Sequence, residues 1–142
     1  MVKKLGTRQV IDTGDILTTE VDDITISAAR ELVEKNSAHQ FVWGYYFCIE
    51  NNSDKRISLV GKNWHITDDK GNSYSDDSDG FRGEIPDLEP GEIFEFSSTA
   101  PLSSENAVFY GSCKIKAAND EVKEIKIPTF EMSVGNAAVV LN

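Results

Sequence analysis

Cysteine is scarce in this chain, and Cys48 and Cys113 stand far apart inside apolar runs. That spacing excludes a disulfide-stapled secreted scaffold and predicts two structural thiols in a reduced, cytoplasmic location. Long hydrophobic runs are missing as well, since no stretch approaches the roughly 18 apolar residues of a membrane span. The opening Met1-Val2-Lys3-Lys4 is basic, but Gly6 to Asp15 adds no apolar segment, so a secretory signal is not expected. Basic residues are outnumbered, 14 against 24 acidic, leaving a formal charge of −10. Nucleic acid and anionic membranes, which attract proteins through Lys and Arg, are therefore poor partners. The same charge favours basic partners or cations only as a general field.

Catalytic and metal-binding patterns are equally thin. His39 and His65 are the only imidazoles, and neither Cys-x-x-Cys nor His-Glu-x-x-His occurs. No Gly-x-Ser-x-Gly elbow presents a nucleophile. The chemistry excluded leaves a single domain of 142 residues with an ordinary core, and an enzyme is not the expectation.

What is present is strand after strand. Phe41, Trp43, Tyr45, Phe47 and Ile49 alternate with Val42, Gly44, Tyr46 and Cys48, as in a strand apolar on both faces. Asn51-Asn52-Ser53-Asp54 ends it with turn chemistry. Strands are expected at Ile57–Leu59, Asn63–Thr67, Ile93–Ser97, Ala107–Ala117, Val122–Ile127 and Thr129–Val134. Asp68-Asp69-Lys70-Gly71-Asn72 and Leu88-Glu89-Pro90-Gly91-Glu92 read as tight turns, the second of type II. Pro128 suits an edge or a bulge. In Ala28–Lys35 helix formers conflict with the alternation of Ile24, Ile26 and Ala28. Residues 1–21 read as an irregular lead-in and residues 22–142 as the domain. The polar stretch Ser75–Gly83 reads as a solvated surface loop. The spacing predicts an all-β sandwich.

Several motifs together resemble one family. Phe41-Val42-Trp43-Gly44-Tyr45, Trp64-His65-Ile66-Thr67-Asp68, Gly83-Glu84-Ile85-Pro86, Leu88-Glu89-Pro90-Gly91-Glu92, Gly111-Ser112 and Ile127-Pro128-Thr129-Phe130 follow the order found in the ApaG family. Ser97-Ser98-Thr99-Ala100-Pro101-Leu102 resembles its Thr-Ser-Gly-x-x-Leu stretch. The resemblance covers about residues 22–134. It implies an immunoglobulin-like (fibronectin type III-like) two-sheet sandwich of about seven to eight antiparallel strands. It also implies a strand, not a helix, within Asp22–Val33. Bacterial members are linked to cobalt resistance and magnesium efflux, and eukaryotic members join the domain to other modules.

The family often carries Gly-x-Gly-x-x-Gly before its Gly-Glu-x-Pro element. Here the loop is Ser78-Asp79-Gly80-Phe81-Arg82-Gly83, with serine at the first glycine position. A phosphate cradle needs backbone N–H groups that can approach the anion, usually backed by a helix N-terminus, and no helix pattern follows. Gly80 and Gly83 serve positive φ in the plain reading, and Arg82 is the side chain able to attract an anion. Asp76, Asp77 and Asp79 are the candidate cation ligands for loosely held Mg²⁺ or Co²⁺, and no other cofactor is expected. A calcium loop starting at Ser75 would need glutamate where Pro86 stands. The leading expectation is a protein-interaction module using Ser75–Gly83 and an adjacent sheet edge. The alternative is a nucleotide, pyrophosphate or cation bound at Ser78–Gly83.

Overall fold

The computed structural model of the protein describes residues 3–5 and 16–136. Within them eleven strands form two antiparallel sheets, and eight of these strands are five residues or longer. The first sheet runs β1(Lys3–Leu5), β8(Glu92–Leu102), β4(Phe41–Asn51), β3(Ile24–Lys35) and β2(Leu17–Val21) from edge to edge. The second runs β10(Val122–Lys126), β9(Asn106–Lys116), β5(Ile57–Asp68) and β6(Ser73–Asp79). Here β11(Phe130–Ser133) pairs with β9 and β7(Asp87–Leu88) with β5. The sandwich expected from the strand spacing is the fold observed.

The aromatic strand β4 lies at the centre of its sheet because it can be buried on both faces. Phe47 faces Ala28 on β3 and Phe96 on β8, and Ile49 faces Ile26 and Phe94. These side chains point between the sheets. There the Trp64 ring touches Tyr45, Phe47, Phe81, Phe96 and Phe109, stacking on Phe47 with centroids 4.5 Å apart. On the outer face Tyr46, Cys48, Ala29 and Ile93 make a smaller buried cluster. The aromatic residues of β4 are therefore covered, not displayed: Trp43 and Tyr46 are buried, and Phe41 and Tyr45 half-buried.

Pairing overrides local preference in Ala28–Lys35. The segment is strand throughout, and only a bulge between Leu32 and Glu34 interrupts its register with β4. Asp22 and Asp23 turn the chain with positive φ, at 54° and 63°, and feed it into β3. The lead-in expected to be irregular contributes Lys3–Leu5 and Leu17–Val21 as strands, because β8 and β3 offer free edges there. The other residues of that lead-in lie outside the described residues.

Turns follow their sequence chemistry. Gly71 and Gly91 adopt φ of 88° and 87°. Glu92 N–H closes the second turn on Glu89 O at 3.0 Å, with Pro90 and Gly91 in its middle. Asn51, fully buried, donates to Lys55 O (2.8 Å) and Leu88 O (2.9 Å) and accepts from Ser53. Pro128 separates β10 from β11 along the same side of β9.

Candidate functional site

The stretch expected to be a surface loop is mostly strand. Ser73–Asp79 forms β6, which among the described residues is the outermost strand of its sheet and pairs with β5 alone. No residue of β6 is buried. Burial therefore does not hold it; the hydrogen-bonded ladder with β5 does, which polarity-based reading of the sequence could not reveal.

The ladder fixes which backbone groups remain on the open edge. Asp68 N–H bonds Asn72 O (3.0 Å) at one end, and Gly80 N–H bonds Val60 O (2.8 Å) at the other. Antiparallel pairs alternate between bonded and unbonded, so Tyr74, Asp76 and Ser78 direct their backbone groups to β5. Ser73, Ser75, Asp77 and Asp79 direct theirs outward. Side chains alternate on the same period. Tyr74, Asp76 and Ser78 stand opposite Ile66, Trp64 and Lys62 and share their inward face.

Lys62 reaches that face through a β-bulge. The register of β5 against β9 slips between Leu59 and Gly61, so one extra residue turns Lys62 inward beside Trp64 and Ile66. It is only 3% exposed. Its ammonium lies over Trp64, Phe81 and Phe96 at 5.7, 5.0 and 5.5 Å from the ring centroids. It also donates to Gly80 O (3.3 Å) and faces Asp76 at 3.5 Å. Sequence reading passed over Lys62. The signal was a charged residue at the i, i+2, i+4 positions of an apolar face with Trp64 and Ile66.

Beyond β6 the chain makes a tight reversal. Phe81 N–H bonds Glu84 O (2.7 Å) and Glu84 N–H bonds Phe81 O (3.1 Å). Arg82 and Gly83 between them have φ of 52° and 83°, the signature of a type I′ turn. Gly80 is required by geometry: φ is 66°, and a Cβ there would fall 2.3 Å from Glu84 O. Phe81 plugs the core, and Arg82 lies over Phe96 (4.6 Å) and donates to Ser97 O (2.9 Å). The N–H groups of Gly80, Phe81 and Glu84 are thus committed within the protein. Ser78, in the place of the missing glycine, lies in the β6 ladder and donates to Asp76 (2.8 Å).

The three aspartates do not converge. Asp76 points inward to Lys62, while Asp77 points outward, 3.8 Å from Lys114, and Asp79 shares that outward face. Among the described residues no group of three or more His, Cys, Asp or Glu is arranged to hold a metal ion. His65 stacks on Tyr110 at 5.2 Å and meets Ser75 Oγ at 2.9 Å on the outer face. Burial pushes the Cys113 thiol up to about 12.

A cavity of about 110 Å³ opens between the sheets beneath β6, walled by Tyr45, Trp64, Ile66, Tyr74 and Phe109, with Asp76 at its rim. The Tyr45 and Trp64 rings stand at 80° to each other. Burial holds the Tyr45 hydroxyl above the usual phenol value. A wider cleft of about 260 Å³ at the other end of the sandwich is lined by both signs of charge, including Asp22, Arg56 and Lys123.

The model for the ApaG domain matches residues 31–117, a span that runs from β3 through the whole Ser73–Glu84 region to the end of β9. Protein ApaG of Agrobacterium fabrum is 38% identical over 123 residues, 84% of this chain and 95% of the relative. The chain belongs to the ApaG family. Protein ApaG of Brucella canis is 33% identical over 112 residues, covering 79% of this chain and 86% of the relative. A crystal structure of an ApaA protein from Bordetella pertussis superposes with a TM-score of 0.73 at 26% identity, over 78% of this chain and 93% of that one. The Gly-Glu-x-Pro and Leu-x-Pro-Gly-Glu elements that resembled ApaG lie at the end of the β6 reversal and before β8.

Proposed function

We propose that this ApaG-family domain is a non-enzymatic binding module that recognises a protein partner by accepting an extended segment along β6. The observation that carries this reading is the outward row of backbone N–H and C=O groups at Ser73, Ser75, Asp77 and Asp79. Such a row is a template for strand addition, in which main-chain bonds give affinity and alternate side chains give specificity. Three aspartates on the strand repel a second copy of the same edge and favour a basic partner. A connection to cobalt or magnesium homeostasis, implied by family resemblance, is on this reading exerted through the partner.

The test is a photo-crosslinking residue placed at Ser75 on β6 or at Val21 on β2, the edge of the other sheet. A partner captured from Ser75 and lost on Asp77→Pro supports the proposal; equal capture from both edges overturns it. Small-ligand binding at Ser78–Gly83 has less support, because the Gly80 and Phe81 amides are already bonded. Metal-stripped protein screened by thermal shift with nucleotides, pyrophosphate, Mg²⁺, Co²⁺ and Ca²⁺ is expected to give a flat panel. A ligand at a hundredfold over its Kd would instead add about 2.7 kcal/mol, visible as a rise of a few degrees.

A further inference from the structure

We infer that the interlayer cavity beneath β6 is the specificity pocket for a lysine side chain carried by the added strand. The inference rests on the β6 reading and deepens it. A strand paired to the open edge of β6 continues the pleat of the sheet, so its inward side chains fall beside Tyr74 and Asp76. These two residues bound the cavity at its mouth, at 41% and 53% exposure.

Size and chemistry then select the guest. At about 110 Å³ the cavity lies well below the roughly 300 Å³ at which small-molecule pockets begin, so it admits the end of one side chain. Its walls are ring faces and edges from Tyr45, Trp64, Tyr74 and Phe109, and its one carboxylate is Asp76. Aromatic walls with an acid at the rim attract an alkylammonium group, the rings through their quadrupoles and the acid through its charge. The acid retains capacity for a guest. Asp76 receives Ser78 Oγ on one oxygen and faces Lys62 with the other, whereas a carboxylate offers about four acceptor sites. Lys62 approaches from the side of the turn, anchored to Gly80 O and the Phe81 and Phe96 rings, and does not line the cavity. A lysine stem also suits apolar walls while its head reaches the acid.

The experiment titrates the full chain with blocked peptides of alternating threonine and lysine, or threonine and norleucine, following the Trp64 indole N–H by NMR. The lysine peptide is expected to shift that resonance and to bind at least about tenfold more tightly than the norleucine peptide. Asp76→Asn should reduce the difference to less than about threefold. Because that change also strips Lys62 of its counter-charge, Tyr74→Ala, at an exposed site, is the second variant and should weaken the lysine peptide more than the norleucine peptide. Ser75→Pro should abolish binding of both peptides. Equal binding of the two peptides, lost in Ser75→Pro, overturns the pocket and leaves the β6 edge standing. Binding indifferent to Ser75→Pro overturns the edge, and with it the peptide source. Butylammonium that shifts Trp64 while neither peptide binds likewise overturns a strand-borne lysine. No response to any probe overturns both readings.

Discussion

Strands β4 and β6 have the same backbone conformation and opposite means of support. β4 is paired on both sides and buried on both faces, with Phe47, Cys48 and Ile49 fully out of solvent. β6 is paired on one side, and none of its seven residues is buried. In β4 the side chains hold the strand and the ladder orders it; in β6 the ladder does both. A strand of the second kind can give up or gain a neighbour without disturbing the core, which is what a recognition edge requires.

The largest test of this contrast is Phe47→Ala. Emptying a site packed against Trp64, Phe109 and Phe130 should cost about 3–5 kcal/mol by denaturant unfolding. Tyr74→Ala on β6 should stay within about 0.5 kcal/mol. A comparable loss at both positions would erase the distinction. Next in size is Gly111→Ala, where φ is 143° and a Cβ would meet Asn63 O at 2.0 Å. Here β9 and β5 approach through their backbones, and strain with displacement should cost about 2–3 kcal/mol.

A smaller effect separates the two ends of β6 by pH. Asp68 accepts from Lys70 N–H, Asn72 N–H and the Asn72 amide, and Asp69 from Ser104 and Asn106. These bonds hold both carboxyls below the usual value, the Asn72 side chain leading for Asp68 and Ser104 for Asp69. The unfolded chain therefore takes up protons first. The stability these groups contribute is complete above about pH 4 and is lost as pH falls through their lower folded values. Asp68→Asn and Asp69→Asn should each flatten the acid limb of a melting-temperature profile. Ser75→Pro removes an outward N–H and should change stability by less than about 1 kcal/mol. Asp76→Pro breaks the ladder to β5 and should loosen β6 in hydrogen exchange.

Much of the fold was legible because side-chain patterns carry it. Alternation in Phe41–Ile49 and Ala107–Ala117, the turns at Gly71 and Gly91, and the break at Pro128 all correspond to features of the structure. β6 was not legible, since Ser, Asp and Tyr in a row signal solvent and say nothing of a ladder supplied by Asn63–Thr67. Ala28–Lys35 was ambiguous for the converse reason: its composition favours helix, and β4 decides otherwise. At the candidate site Gly80 and Gly83 were read correctly as positive-φ positions. Lys62 was missed, because a bulge in β5 turns it onto the inward face.

The core also gives the protein an optical gauge of its own. Its two tryptophans stand one in each sheet, Trp43 on β4 and Trp64 on β5, and both are buried. Emission should lie at the blue end while the layers stay closed, and move red only when water enters between them. The Cys113 thiol rests against the Trp64 indole and should quench it. Light from this protein therefore reports chiefly on Trp43 and the first sheet, until a change at Cys113 brightens the second.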